Sequence, residues 1–329
     1  MKRLVMVGCG KFSRHYHVQT LLADKRTQLV GIYDPHPAPE VHDIIKRTGA
    51  LLVDRLEQLP DADAALITTP HGLHNQHIAF ALDKGWAVLV DKPFVLDLND
   101  GRRLLEMAHS RKLLNAVGFN RRLDRGCLRA KEVIASGQLG VVRLVQTVQL
   151  GYEAGGWPLQ QMLGGGGVFT GRGTHMADIV PWLLQKRPTK VHSRVRPAMP
   201  GGVDKGGFID LEFAGLECQF TCIDQGLHMW DEIRIFGESG LIELRRPAHL
   251  ATGWAMNWTA ADGSVHESLA AEAGTGWITT DFLQALHQGT PVACTFADAL
   301  LSVEIIQAAF ASAASQQGRD LHVVQVSTE

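Results

Sequence analysis

Cysteine is scarce and scattered in this chain. Its five residues, Cys9, Cys127, Cys218, Cys222 and Cys294, are odd in number and include no C-x-x-C pair, which argues against a disulfide framework and a zinc knuckle. Cys218 and Cys222 share one face if 217–223 form a strand, a spacing that suits packing. Charge of one sign is lacking too. The 34 acidic and 32 basic side chains leave a formal net charge of −2, so there is no electrostatic case for a nucleic acid or an anionic membrane as partner. No apolar run approaches the roughly 20 residues of a membrane span. The apolar stretch 4–7 before Gly8 is shorter than the roughly 7–15 residues of a secretory h-region. The expected location is therefore the cytoplasm.

With 329 residues there is room for two domains, because single cores stop growing at roughly 250–300 residues. Up to residue 118, short apolar runs at 4–7, 29–33, 64–68, 87–90 and 113–117 alternate with helical patterns at 15–24, 40–48, 74–84 and 98–111. Continuous Val, Ile and Leu runs suit parallel strands covered on both faces. Asp97 or Asn99 is available to cap the last helix. This alternation predicts an open, doubly wound sheet, a Rossmann domain over 1–119.

From about residue 120 the grammar changes. A helix at 124–136 and a strand at 141–150 precede a glycine-dense segment, 151–173, read as an irregular loop of the kind that lines sites. After a short helix at 174–185, strands are expected at 190–196, 207–213, 217–223, 231–236, 240–245 and 254–259. In 207–213, Ile209, Leu211 and Phe213 fall on one face and Asp210 and Glu212 on the other. Closely spaced strands without helices between them predict a large, mostly antiparallel open sheet. Helices at 277–288 and 297–315 and a strand at 321–326 complete a second domain, 120–329. The fold class expected is α/β plus α+β.

The run Gly8-Cys9-Gly10-Lys11-Phe12-Ser13 lies between the first strand and a helix. Its first glycine permits a tight turn and its second lets backbone approach a pyrophosphate, which the helix N-terminus then faces. Ser13 stands where a third glycine is usual. Asp34 closes the second strand, where a carboxylate accepts hydrogen bonds from a ribose and favours NAD over NADP. The alternative is a turn-forming Asp before Pro35, and His36 would tolerate a phosphate.

Three further stretches carry a family resemblance: Thr69-Pro70 with His74; Asp91-Lys92-Pro93; and Gly165-Gly166-Gly167 with Gly173-Thr174-His175 and Asp178. Together they resemble the Gfo/Idh/MocA family, named for glucose–fructose oxidoreductase, inositol dehydrogenase and a rhizopine-catabolism protein. The likeness covers essentially the whole chain, with both domains in order. It implies hydride exchange between NAD and a carbinol carbon of a sugar, cyclitol or related polyol. It also implies a homodimer or homotetramer joined through the second-domain sheet, with His74 framing the nicotinamide and Asn120 or Arg121 touching substrate or cofactor. Cofactor contacts are thus expected from Gly8, Gly10, Lys11, Phe12, Asp34, Thr69, Pro70, His74, Asp91, Lys92 and Asn120.

Lys92 falls just beyond the carboxyl end of a buried strand, where ligands of open α/β sheets bind. Pro93 disfavours the α region for it. A fixed ammonium there stabilises a developing alkoxide or donates a proton; the alternative is a surface lysine paired with Asp91, itself standing where the family pattern has glutamate. His175 is the second catalytic candidate, a base or acid titrating near pH 6.5 if unperturbed; the alternative is a helix-start histidine bonded to backbone. Four residues before it, Gly171 replaces the aspartate that partners this histidine in the family's dehydrogenases. Asp178 is placed to orient His175 from the same helix face, or serves structure.

Arg172 either reads a substrate carboxylate, as in a uronate or aldonate, or is solvated. Arg122 is read as solvated. Tyr152 and Trp157 either stack on a sugar ring or join the core. His71, His74 and His77 have no carboxylate or cysteine nearby to complete a ligand set, so no metal is expected. Two other functions stay open: a nucleotide-bound sensor without turnover, and redox-neutral elimination or hydrolysis assisted by tightly held NAD.

Overall fold

In the computed structural model, which describes residues 1–151, 156–196, 203–224, 229–247, 253–272 and 277–315, strand β1 (Lys2–Val7) buries Val5 and Val7 on one side and Leu4 and Met6 on the other. That two-sided burial is why the strands read as continuous apolar runs. Helix α1 (Lys11–Ala23) follows at once, four residues earlier than its periodicity predicts. Then come β2 (Thr27–Tyr33), α2 (Pro39–Thr48), β3 (Leu51–Val53), β4 (Ala64–Ile67), α3 (His74–Asp83), β5 (Ala87–Val90), α4 (Leu98–Ser110) and β6 (Asn115–Val117). The Asp97 carboxylate accepts from the N–H groups of Asn99 and Asp100 and so caps α4. The strands pair in parallel in the order β3-β2-β1-β4-β5-β6. Connections leave in opposite directions from β1, so a crevice opens beyond the carboxyl ends of β1 and β4, the ligand position of doubly wound sheets.

The second sheet begins after α5 (Arg125–Ala135), which Asp124 caps. Its central strand is β7 (Val142–Gly151), followed by a helical turn α6 (Gln161–Gly164), helix α7 (Thr174–Leu184), β8 (Lys190–Val195), β9 (Gly206–Phe213), β10 (Leu216–Asp224), β11 (Trp230–Gly237), β12 (Gly240–Pro247), β13 (Ala255–Ala260) and β14 (Val265–Leu269). The order is β14-β13-β12-β11-β7-β10-β9-β8. Only β7 and β10 pair in parallel; the other neighbours are antiparallel. Ile209, Leu211 and Phe213 are buried and Asp210 is exposed, as the alternation predicts. All five cysteines are buried and free. The strand expected at 321–326 lies outside the described residues.

The glycine-dense segment is more ordered than composition implies. Phe169–Gly173 forms a π-helical turn that runs directly into α7. It is held because Gly171 N–H donates to Gly167 O at 2.7 Å and Phe169 N–H donates to Asp204 Oδ1 at 3.1 Å, with Val168 and Phe169 fully buried. Irregular helical turns of this kind are frequent at functional sites.

The last two helices clamp the first sheet. Ile278, Phe282 and Leu283 of α8 (Trp277–Gln288) pack on its Leu4/Met6 face, and Phe296, Ala299 and Val303 of α9 (Phe296–Ser315) on its Val5/Val7 face. Further along α9, Ile305, Ile306 and Ala309 enter the core of the second sheet. This helix is long and apolar enough to cross a membrane by length and composition; here those apolar residues join two cores and fix one sheet against the other.

Candidate active site

The turn after β1 is built for a phosphate. Gly8 has φ +89°, and a Cβ there would lie 2.8 Å from Thr69 Cγ2, so only glycine satisfies both the backbone and the space. Gly10 heads α1 without a side-chain cap, and a Cβ there would meet nothing within 4 Å. Open ground in front of uncapped helix N–H groups fits the pyrophosphate of a dinucleotide. Lys11 and Phe12 follow, both exposed, with the Phe12 ring 4.5 Å from that of Tyr16. Asp34 Oδ2 accepts from Cys9 N–H at 3.0 Å, and Oδ1 accepts from His36 N–H at 3.0 Å. The carboxylate therefore shapes the turn before Pro35 and also ties the end of β2 to the glycine turn.

Beyond β4, Thr69 and Pro70 lead into α3. His74 is fully buried, with Nε2 2.9 Å from Thr69 O and Nδ1 2.8 Å from Pro93 O. Both ring nitrogens are thus occupied, so His74 braces the Thr69-Pro70 and Lys92-Pro93 turns from beneath and presents no free nitrogen to a nicotinamide. His77 is bonded in turn to Thr69 Oγ1 at 2.8 Å. Among the described residues no group of three metal-ligating side chains exists. Asp91 accepts from the backbone N–H of Lys92 at 2.8 Å, and the Lys92–Pro93 peptide is cis. The Lys92 ammonium reaches across to the other sheet's elements and donates to Gly171 O at 2.8 Å. At Gly171, which carries no side chain, the backbone carbonyl itself meets the lysine.

His175 lies one turn further on, half-buried, its ring 6.1 Å from that of Phe119 and its Nδ1 buried without a partner. Burial, and then the charges of Arg121, Lys92, Arg246 and Arg172, hold its pKa well below 6.5. The ordinary imidazole value assumed from sequence does not apply, because desolvation and like charge both disfavour the imidazolium.

Asp231 of β11 is the carboxylate at the centre of these cations. Its Oδ2 accepts from Arg121 Nη2 at 3.3 Å, from Arg246 Nε at 3.0 Å and from Arg246 Nη2, while Arg172 Nη2 stands 3.9 Å from Oδ1. Burial pushes Asp231 up, but the three guanidiniums outweigh it and hold the carboxyl below its usual range. Arg172 is not solvated: its Nη2 donates to Leu150 O at 2.7 Å, and a Cβ on Gly151 would overlap the guanidinium. Arg121 and Arg246 flank the Trp254 ring, 5.0 and 5.7 Å from its centroid.

Two other assignments are corrected by packing. Arg122 is buried, not solvated, and holds Asp178 through Nε at 3.1 Å to both oxygens and Nη2 at 2.6 Å to Oδ1. Asp178 is therefore committed to Arg122, and orientation of His175 by Asp178 is set aside. Trp157, about one-third exposed, packs edge-on against His71 at 4.8 Å, above the Thr69-Pro70 turn. Asn120 is exposed at the start of a 3-10 turn, Asn120–Leu123. Tyr152 lies outside the described residues. A cavity of about 280 Å³ beside Arg122, Asp178, Trp182 and Asp298 contains neither Lys92 nor His175, so convergent chemistry and not cavity size marks the site.

The chain matches the oxidoreductase family with an NAD-binding Rossmann fold over residues 2–119 and the GFO/IDH/MocA C-terminal domain over 127–243. It belongs to the GFO/IDH/MocA oxidoreductase family, and its cofactor is NAD. Inositol 2-dehydrogenase of Rhizobium meliloti is 24% identical over 328 residues, covering 96% of this chain and 98% of that protein. The 1-carboxy-3-chloro-3,4-dihydroxycyclohexa-1,5-diene dehydrogenase of Comamonas testosteroni is 33% identical over 198 residues, 58% of this chain and 49% of that protein. Among solved structures, GenD2 from gentamicin A biosynthesis in complex with NAD is 25% identical with a TM-score of 0.79, covering 95% of this chain and 94% of that one.

Proposed function

We propose that this protein is an NAD-dependent dehydrogenase or reductase acting at a carbinol carbon of a sugar, cyclitol or related polyol. The observation that carries the reading is the Lys92–Gly171 contact. It brings an ammonium from the end of β5 and the turn that launches His175 into one cleft, beside an open dinucleotide cradle. Gly8, Gly10, Lys11, Phe12, Asp34, Thr69, Pro70, Asp91, Lys92 and Asn120 hold the cofactor, which supplies the hydride acceptor or donor. Trp157 and Arg172 border the substrate side. The names of the Rhizobium and Comamonas relatives support a ring carrying hydroxyl groups.

In the oxidative direction the substrate hydroxyl loses its proton as hydride leaves its carbon. Lys92 holds negative charge on that oxygen, the contribution of a fixed cation in a water-poor site. His175, neutral because its pKa is depressed, has a lone pair free to take the proton. In reduction the roles reverse. A second copy of the chain packs on the outer face of the large sheet, where Leu144, Val148, Phe208 and Ile223 are only half-buried.

The test is NADH formation by purified protein with NAD⁺ across polyols, aldoses, inositols and uronates, repeated with NADP⁺. Turnover with a preference for NAD⁺ is expected. NAD binding with silence across the panel favours the sensor reading, for which Gly171 in place of an aspartate is the supporting observation. Substrate loss without NADH points to redox-neutral chemistry.

A further inference from the structure

We propose that Arg121, Arg172 and Arg246 form a carboxylate-binding subsite, so that the hydroxyl compound taken by this cleft is an acid: a uronate, an aldonate or a carboxy-cyclitol. The inference rests on the dehydrogenase reading above and narrows its substrate.

Charge balance comes first. Three guanidiniums surround one carboxylate, Asp231, and the Lys92 ammonium adds to the same field at His175. Among the described residues Asp231 is the one carboxylate in direct ion pairs with the three guanidiniums, and cations in a poorly hydrated site are costly until an anion arrives. Three further carboxylates lie nearby, Asp124 close enough to act on Arg246 through space, but their direct hydrogen-bond partners are backbone N–H groups and not the guanidiniums. Asp124 accepts from Gly126, Cys127 and Trp254 N–H, and Asp204 from Phe169 and Gly206 N–H. Asp91 accepts from Lys92 N–H. Crowding shows in Arg121, whose pKa is drawn down to about 10 by burial and the neighbouring arginines against the pull of Asp231.

Unmet bonding capacity comes second. Arg121 is 3% exposed, yet its Nε donor has no partner, and the Arg172 Nε donor is likewise buried and unpartnered. Natural cores rarely leave such groups unmatched.

Rigidity comes third. Trp254 backs Arg121 and Arg246, and the Leu150 carbonyl with the bare Gly151 fixes Arg172. Planar, immobilised guanidiniums match a carboxylate fork and lose little entropy on binding it. An anion seated there also relieves the positive field on His175 and makes its ring a better proton acceptor.

The experiment uses the NAD-bound protein and matched pairs: D-glucuronate with D-glucose, D-galacturonate with D-galactose, and quinate with myo-inositol, with glucose 6-phosphate as a phosphate arm. We expect kcat/KM for at least one acid to exceed that of its neutral partner by about 100-fold or more, and Arg172→Met to shrink that ratio about 10- to 100-fold, the range of a charge-assisted fork. Arg172→Lys, which keeps charge but loses the fork, should fall between. Neutral compounds turned over as well as their acids in every pair overturn the subsite and leave the dehydrogenase reading standing. A phosphate ester preferred over every carboxylate overturns the carboxylate assignment. If nothing is turned over, calorimetric titration of the NAD complex decides. Acid binding lost in Arg172→Met upholds the subsite while the dehydrogenase reading falls, and acids binding no tighter than their neutral partners overturn the subsite.

Discussion

Removing Arg122 tests whether Asp178 serves structure or catalysis. The two side chains are 6% and 3% exposed and share three hydrogen bonds of 2.6–3.1 Å. Burial raises the Asp178 pKa and Arg122 only partly reverses this, while Asp178 holds Arg122 more firmly charged than usual. Such a pair is marginal as a whole but expensive to halve. Arg122→Met strands a carboxylate inside α7 and should lower unfolding free energy by about 3–5 kcal/mol, a large share of the roughly 5–15 kcal/mol that holds a domain together. Asp298, 3.8 Å from Arg122, cannot relieve the loss, since it too is acidic. The double variant Arg122→Met/Asp178→Leu, with no charge left to strand, should recover more than half of it. Urea denaturation followed by tryptophan fluorescence reads the stabilities. In Asp178→Asn, kcat per folded molecule should stay within about 3-fold of the parent, because Asp178 makes no transition-state contact. Unchanged stability with kcat down about 100-fold or more would refute this reasoning and restore Asp178 as the group that orients His175.

Acid should destabilise the fold through its buried histidines. His77 titrates near 4 in the folded chain against 6.5 unfolded, chiefly through burial. Between those values the unfolded chain binds the extra proton, so stability is full above pH 6.5 and falls as pH drops towards 4, by about 3 kcal/mol from His77 alone. His77→Gln should flatten that slope in urea titrations, and an unaltered slope would contradict the assignment. Gly8→Ala forces a side chain onto φ +89° and against Thr69. It should cost about 1–2 kcal/mol locally and weaken NAD binding on the order of 10-fold, read by calorimetric titration.

The parallel sheet was legible because both of its faces are buried, which writes each strand as an unbroken apolar run. β3 escaped because three residues, one of them exposed, make no pattern. β14 escaped because Val265, His266 and Ser268 lie on an exposed edge. The π-helical turn was hidden by glycine content, since its order comes from Asp204, thirty-five residues away from Phe169. Lys92, His175 and the glycine turn were visible as local motifs. The guanidinium cluster was not: Arg121 and Asp231 are 110 positions apart and Arg246 another 15, and nothing in a linear reading brings them together. Separation in sequence also explains the errors on Arg122, which meets Asp178 of α7 across 56 positions.

The most direct test of the central claim is single-turnover hydride transfer in Lys92→Ala, measured beside its affinity for NAD⁺, with whichever substrate the parent oxidises. The account predicts a rate lower by about 10²–10⁴-fold, with NAD⁺ affinity within about 3-fold of the parent. Hydride transfer at the parental rate in that variant would contradict it.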